Sequence, residues 1–274
     1  MSRTLADGTT RRSTKARAVV CMAIGIWLVV PLVIVIGVSF TGERSFMFPP
    51  KTWGLDWYRG LVSAEWGSAI RNSFTIAAAT AALTTVLGTL ASFAIARSAA
   101  RWISGFRLLV LAPQIMPIIV VALGVYLVFL RWDWVGTYHG FILIYTAMAL
   151  PFVVVPVTAA LLVFDRTLER ASASLGAGPF ATFWHVTLPI IRPAVIGGAV
   201  LAFLSAFDEP VIGLYLSNAE LRTLPVLLFR SMTDQINPSV AAIAAIEITI
   251  VSIGVVIAMV VQRRRSSADG ERRA

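Results

Sequence analysis

Long apolar runs separated by short polar segments dominate this sequence. Six runs are long enough for a helix to cross the hydrocarbon core of a membrane, which takes about 20 residues. They cover approximately residues 18–40, 73–96, 105–130, 141–164, 193–216 and 240–261. The pattern therefore predicts an all-α integral membrane protein with six transmembrane helices.

The composition supports a membrane protein rather than a soluble one. The chain is 58% hydrophobic and 14% charged, whereas soluble domains are roughly a quarter charged. The first run is longer than the apolar region of a secretory signal peptide, which is about 7 to 15 residues. It ends at Val38-Ser39-Phe40-Thr41, so it is predicted to be an uncleaved first span.

The positions of the basic residues predict the orientation of the chain. Sixteen of the 23 Lys and Arg residues lie in residues 1–17, 97–107, 166–192 and 263–274. Cytoplasmic segments of membrane proteins carry such an excess of positive charge. We therefore expect basic cytoplasmic tails at 1–17 and 263–274, a single transmembrane domain at 18–262, and a cytoplasmic segment at 165–192.

Several function classes are excluded or disfavoured by the residues themselves. The net charge of +9 comes from residues at the ends of the apolar runs, so it does not predict nucleic-acid binding. The single Cys21 allows no internal disulfide, and His139 and His185 are isolated, so no metal site or other cofactor is predicted. The sequence contains neither a Gly-x-x-x-x-Gly-Lys-Ser/Thr phosphate loop nor the motifs of common hydrolases.

The segment from Asp165 to Pro193 is polar and cationic at its start and lies between two apolar runs. Residues 168–174 favour a helix through Leu, Glu, Arg and Ala. Gly176, Gly178 and Pro179 are expected to end it. A second short helix over 180–186 is predicted to end at Leu188-Pro189. Two short helices joined by a glycine turn would form a docking element on the membrane surface.

The same segment resembles a known loop. The resemblance rests on Leu175-Gly176-Ala177, Pro179, Phe183, Val186, Thr187-Leu188-Pro189 and Arg192-Pro193. This spacing is similar to the cytoplasmic coupling loop of ABC-transporter permeases of the binding-protein-dependent importers. In that family the loop opens with Glu-Ala-Ala, has Gly several residues later and closes with Leu-Pro. Here the aligned triplet is Arg170-Ala171-Ser172, with Glu169 one place earlier.

The resemblance implies a set of partners and contact residues. A separate dimer of ATP-binding subunits would bind ATP, and a second, heterologous permease would complete the path. An external solute-binding protein would deliver the solute, in a bacterial inner membrane with its lipid around the complex. The residues implied to couple to the ATPase are Glu169, Arg170, Ala171, Leu175, Gly176, Ala177, Leu188 and Pro189. A secondary carrier or channel that works without an ATPase remains the alternative.

Three acidic residues fall within apolar runs and are candidates for the solute path. Asp208 and Glu209 lie in the fifth run, and Glu247 lies in the sixth. A charge near the bilayer centre costs on the order of 3 kcal/mol, so it normally faces the bundle interior or water. Acids lining a path favour a cationic solute. The alternative is that each acid is paired with a neighbouring helix or protonated.

The residues around these acids resemble a subfamily. The similar positions are Phe203-Leu-Ser-Ala-Phe207-Asp208-Glu209, Thr223-Leu224-Pro225 and Asn237-Pro238 with Ala241-Ala242. They resemble the last third of spermidine/putrescine-type permeases, with the serine displaced by one position. The resemblance implies a polyamine solute. Permeases for aminoalkylphosphonates, ferric ion or opines share much of the pattern, so these solutes stay open.

Prolines and small residues suggest helices that are interrupted and closely packed. The prolines expected to interrupt spans are Pro113 and Pro117 in the third, Pro151 and Pro156 in the fourth, and Pro210 in the fifth. Proline removes a backbone donor and kinks a helix. Small residues recur along the second run from Ala77 to Ala91, which would permit close helix contact.

Overall fold

The computed structural model describes residues 5–98, 100–233 and 237–253, and helices make up most of this part of the chain. Its one extended pairing is an isolated antiparallel bridge between Thr41 and Trp53. We number the helices α1 (Leu5–Ser39), α2 (Asp56–Gly60), α3 (Ala64–Arg97), α4 (Ile103–Leu111), α5 (Ile118–Arg131), α6 (Tyr138–Val163), α7 (Thr167–Ser174), α8 (Pro179–Thr182), α9 (Leu188–Phe207), α10 (Val211–Leu216), α11 (Leu224–Thr233) and α12 (Ser239–Ile253).

The chain divides into two compact units. The first takes residues up to Ser63 and from Ser231 onward, and the second is Ala64–Arg230. In the first unit, the segment after α1 folds back on that helix. Tyr58 and Ser39 share a hydrogen bond of 2.7 Å between their hydroxyls. The ring of Phe48 lies so close to Gly37 that a Cβ there would be 2.6 Å from it.

The second unit is built around three packed helices, α3, α6 and α9. Val153 on α6 lies against Gly88 of α3 and Gly198 of α9. A Cβ on Gly88 would be 2.8 Å from the Val153 side chain, and one on Gly198 would be 2.9 Å from the Val153 Cα. The small residues therefore allow the three backbones to approach closely, as predicted for the second run.

Four described helices are long and apolar enough to cross a membrane: Val19–Ser39, Glu65–Arg97, Tyr138–Val163 and Pro179–Phe207. A fifth span is added if Ile103–Gln114 and Ile118–Arg131 are taken as one broken helix. Of the sixth predicted run, the described residues form α12, and its end at 254–261 lies outside the described residues. The chain is a mostly helical, multi-pass membrane protein.

The third predicted run, 105–130, is not one continuous helix. Its first part is α4, which ends at Leu111 and is followed by a 3₁₀ turn at Ala112–Gln114. The helix resumes as α5 at Ile118, with a bend of 99° between the two parts. Pro113 and Pro117 explain the break, because each lacks an amide donor and disfavours helix in the residue before it.

The fifth predicted run, 193–216, is displaced. The helical path starts at Pro179, passes through a π-helical turn at Phe183–Thr187, and continues as α9 to Phe207. The expected end at Leu188-Pro189 is therefore wrong. Pro189 lies in the first turn of α9, directly after the wider π-helical turn. At this position the lack of an amide donor interrupts little hydrogen bonding.

Proline also had less effect on the fourth run than expected. Helix α6 passes through Pro151 and Pro156 without ending. In membrane helices, neighbouring helices and local adjustments satisfy the backbone groups that a proline frees. Both residues lie between Ala149 and Leu161, a stretch of α6 whose buried residues pack against α3 and α9, so tertiary contacts maintain the helix there.

Candidate functional site

The segment after α6 forms a short helix whose start is fixed by Asp165. The Thr167 amide donates a hydrogen bond of 2.9 Å to Asp165 Oδ1. A hydrogen bond from the Thr167 backbone and, to a smaller extent, one from its side chain lower the pKa of Asp165 below its ordinary value. Asp165 thus satisfies one of the donors left free at the start of α7.

Gly176 ends α7 in the way that the sequence predicted. The Gly176 amide donates to the Ala173 carbonyl (3.0 Å), and the Ala177 amide donates to the Ser172 carbonyl (3.2 Å). These two bonds form a Schellman motif, which needs a left-handed residue at the Gly176 position. Gly176 has φ +86°, and no atom lies within 4 Å of where its Cβ would be. Conformation, rather than space, therefore requires glycine.

Glu169 on α7 points inward, toward the end of α3 and the π-helical turn. Its Oε1 accepts hydrogen bonds from Arg97, at the end of α3, and from Thr187, at the end of the π-helical turn. The Glu169 side chain is only 17% exposed. Burial opposes ionisation of Glu169. The hydrogen bonds from Arg97 and Thr187 and the charges of Arg97 and Arg166 outweigh it and lower its pKa below the ordinary value.

Other contacts reinforce this junction of α7, α3 and the π-helical turn. The Arg97 guanidinium lies 4.6 Å from the centre of the Phe93 ring. The Phe93 ring packs edge-on against Phe183, with centroids 5.5 Å apart. Arg166 donates a 3.0 Å hydrogen bond to the Ala96 carbonyl. A displacement of α7 would therefore pull on both α3 and the helix that continues into α9.

The outer side of the same segment exposes large apolar side chains. Leu175 is 89% exposed and Phe180 is 76% exposed. Leu168 and Trp184 are also exposed, and the Trp184 ring contacts that of Phe180 with centroids 6.0 Å apart. We call these four residues the exposed apolar surface. Side chains of this kind are typical of a surface that another protein covers.

The predicted coupling residues take different positions in the structure. Arg170, Ala171, Leu175 and Gly176 are exposed, Ala177 is half-buried, and Glu169 faces inward. Leu188 and Pro189 lie in the first turn of α9. Arg97 and Thr187 were not predicted as partners of Glu169. Nothing in the local pattern identifies them, because the contacts join positions 72 and 18 residues apart.

The predicted path acids Asp208 and Glu209 lie at a break between α9 and α10, not inside a continuous span. Glu209 Oε1 accepts hydrogen bonds from the amides of Val211 (2.7 Å) and Ile212 (3.1 Å), so it caps α10. The Tyr145 hydroxyl donates a 2.9 Å hydrogen bond to the Glu209 carbonyl. Asp208 is exposed. Glu247 is half-buried on α12, in the first unit.

A cavity of about 190 Å³ lies beside this break. Its polar lining residues are Gln114, Tyr145, Ser205 and Glu209. Gln114 belongs to the break between α4 and α5, so the two helix interruptions of the second unit meet at one cavity. Irregular backbone at membrane depth is tolerated where it is buried in protein or lines a water-filled space. Gln114, Tyr145 and Ser205 were not among the predicted site residues.

Residues 85–267 match the family model described as "Binding-protein-dependent transport system inner membrane component". The chain is 31% identical over 229 residues to the putrescine transport system permease protein PotI of Escherichia coli (strain K12), covering 80% of this chain and 81% of the relative. It is 28% identical over 254 residues to the spermidine/putrescine transport system permease protein PotC of the same strain, covering 90% and 94%.

Other similar proteins handle different solutes. The chain is 28% identical over 201 residues to the molybdenum transport system permease protein ModB of Mycobacterium bovis, covering 68% of this chain and 74% of the relative. A solved bacterial ABC transporter involved in the import of the acidic polysaccharide alginate has a chain with the same fold. The TM-score is 0.72 at 17% identity, covering 96% of this chain and 98% of that one.

Proposed function

Because this chain belongs to the family of inner membrane components of binding-protein-dependent transport systems, we propose that it forms half of the path of an ATP-driven importer for polyamines. Members of this family are the membrane permeases of ABC importers and have no ATPase site of their own. The chain is therefore a transport subunit and not itself an enzyme.

The polyamine assignment rests on the relatives and on the break between α9 and α10. PotI, at 31% identity, is named for putrescine, and PotC, at 28% identity, is named for spermidine and putrescine. Asp208 is exposed at this break, and Glu209 lines the cavity beside it. An amine chain with several positive charges gains from acids along its route. The alternative solutes are an aminoalkylphosphonate, ferric ion or an opine.

The coupling assignment rests on one observation, the hydrogen bonds that Glu169 accepts from Arg97 and Thr187. A separate ATPase dimer would bind the exposed apolar surface around α7 and α8. Motion of α7 would then pass through Glu169 to the ends of α3 and α9. Such a rigid connection shifts the equilibrium between outward-facing and inward-facing states when the ATPase changes state. ATP would be bound by the partner only.

The remaining partners follow from this role. A second, different permease would complete the path, and an external solute-binding protein would present the polyamine. We propose six spans in a bacterial inner membrane, with both termini in the cytoplasm. The excess of Lys and Arg in residues 1–17, 97–107, 166–192 and 263–274 supports this orientation. A carrier driven by an ion gradient is the less favoured alternative.

The experiment is uptake by the complete complex in phospholipid vesicles. Labelled putrescine is supplied with the solute-binding protein outside and ATP inside. We expect ATP-dependent uptake that unlabelled spermidine suppresses and molybdate does not. ATP-driven uptake of another solute, with no uptake of either polyamine, would keep the transport role and reject the substrate. Polyamine uptake that does not depend on ATP would support the alternative, a carrier driven by an ion gradient.

A further inference from the structure

A wide apolar groove lies in the second unit, apart from the cavity beside Glu209. Its volume is about 710 Å³, and it runs between the C-terminal half of α3, the helix α4 and the middle of α6. Every lining side chain is apolar, including those of Leu90, Ala91, Leu109 and Leu150. Leu90 and Leu109 are largely exposed, so the groove opens outward from the described helices.

Two arginines adjoin, in the sequence, the aromatic residues at one end of this groove. Phe106 lines the groove, and the exposed ring of Trp102 packs edge-on against it with centroids 5.9 Å apart. Arg101 and Arg107 flank these two aromatic residues in the sequence. No acidic residue lies next to either arginine. Both are exposed, and neither forms a hydrogen bond or ion pair within the described part of the chain. Arg97, by contrast, is held by Glu169.

The start of α4 adds further donors at the same end. Trp102 occupies the N-cap position, and no side chain caps the helix there. The Ile103 amide donates to the Ala100 carbonyl (3.0 Å), so the first-turn amides that need another acceptor are those of Ser104 and Gly105. A phosphate satisfies such amides, favours the positive end of the helix dipole and pairs with guanidinium groups. An apolar channel that ends in phosphate-binding groups matches the two parts of a phospholipid.

We propose that this groove binds an anionic glycerophospholipid. One acyl chain lies against Leu90, Ala91 and Leu109, and the phosphate lies at Arg101, Arg107 and the first turn of α4. Trp102 sits at the boundary between the two, the depth that Trp prefers in membranes. An apolar helix of another subunit would fill the groove but would bring no counter-charge for the two arginines, so charge complementarity favours the lipid.

This proposal is independent of the transported solute. It makes the lipid a structural ligand at the end of the second unit where α7 contacts α3. Basic pockets between membrane helices recognise anionic headgroups, and each arginine near an anionic surface strengthens binding roughly fivefold. We therefore expect the preference for anionic lipid to depend on the two arginines. The total amount of bound lipid should depend on the groove.

The test measures lipid retained by the complete complex. The complex is stripped in detergent, exposed to vesicles of equal phosphatidylglycerol and phosphatidylcholine, repurified, and its lipid measured by mass spectrometry. We expect Arg101→Gln with Arg107→Gln to lower the preference for phosphatidylglycerol by at least about fivefold. The matched control, Arg131→Gln at the other end of α5, removes an exposed charge and should leave the preference unchanged.

A second variant addresses the groove itself. Ala91→Trp should reduce retention of both lipids, whereas Leu127→Trp, at an exposed position on α5 outside the groove, should not. The proposal is overturned if the double arginine variant keeps the wild-type preference. It is also overturned if a photo-crosslinker at Leu109 captures the second permease instead of lipid.

Discussion

Glu169 is proposed to act in coupling through contacts within this chain rather than by facing the ATPase. The resemblance to the coupling loop implied that it contacts the ATPase, whereas its carboxylate faces Arg97 and Thr187. Hydrogen bonds to charged groups contribute about 1.5 to 3 kcal/mol each when partly buried. Arg97 is about a third exposed, so solvent screening places its contribution at the low end of this range.

Replacing Glu169 with Gln removes the charge but keeps the shape. We expect ATP hydrolysis by the complex to continue while ATP-driven uptake falls about tenfold, because a loss near 1.4 kcal/mol changes an equilibrium by that factor. Uptake and hydrolysis are measured on the same vesicles. Glu65→Gln is the matched control, since it weakens an exposed ion pair to Arg222 at the opposite end of α3. Equal losses of uptake in Glu169→Gln and Glu65→Gln would contradict a connection through Glu169.

The direction of the Glu169 pKa shift defines the pH range of that effect. Its pKa in the folded protein is lowered, so the ion pair contributes fully above the ordinary Glu pKa of about 4.3 and is lost as pH falls through the lowered value. The ratio of wild-type to Glu169→Gln uptake should therefore be the same at pH 6 and pH 8. A ratio that changes over this range would contradict an ionised Glu169.

Gly176 is required for its backbone conformation. Gly176→Asp forces a side chain into the left-handed region at φ +86°, which costs roughly 1 to 2 kcal/mol, and should lower uptake by roughly five- to thirtyfold while the protein stays in the membrane. Gly178→Asp is a matched control. It adds the same charge two residues away at φ −69°, in an N-cap position that favours Asp. If both variants transport equally, the turn does not carry the coupling.

Asp208 and Glu209 are adjacent in sequence but have different surroundings. Glu209 holds the start of α10, whereas Asp208 is exposed with no donor or cation at its carboxylate among the described residues. We expect Asp208→Asn to raise the KM for putrescine uptake without disturbing assembly, and Glu209→Gln to reduce the amount of assembled complex as well. Unchanged uptake kinetics in Asp208→Asn would remove that residue from the path.

Among the elements, local signals predicted α7 and its glycine turn well. Capping and turn chemistry involve residues a few positions apart, so the sequence contains the information. The prolines of the third run predicted its break, but not the bend of 99°, which depends on what the two halves pack against. The continuation through Leu188-Pro189 was missed, because the contacts of Glu169 with Thr187 and of Phe93 with Phe183 stabilise the π-helical turn and are tertiary.

The exposed apolar surface should behave as one docking element. Leu175→Glu and Phe180→Glu place charges on it and should each reduce co-purification of the ATPase subunit from detergent by about tenfold or more, since a buried unpaired charge costs several kcal/mol. Val62→Glu, at an equally exposed apolar position ahead of α3, is the control and should retain the ATPase. Full retention in both surface variants would show that the ATPase binds elsewhere.

At the scale of the whole molecule, composition and apolar run length were sufficient to predict a helical, multi-pass membrane protein. Four described helices have the required length and composition, and a fifth does if α4 and α5 form one broken span. The prediction of six spans stays a prediction, since part of the last run lies outside the described residues. The meeting of two helix breaks at one cavity was beyond sequence reasoning, because it depends on how α4, α6 and α9 pack.

The central claim is that these helices move solute only when a separate ATPase drives the α7 segment. The most direct measurement is putrescine uptake into vesicles that contain the complete complex with either an active ATPase subunit or one that binds but cannot hydrolyse ATP. The account predicts sustained uptake with the active subunit and none beyond a single turnover with the inactive one. Equal, sustained uptake with both subunits would contradict it.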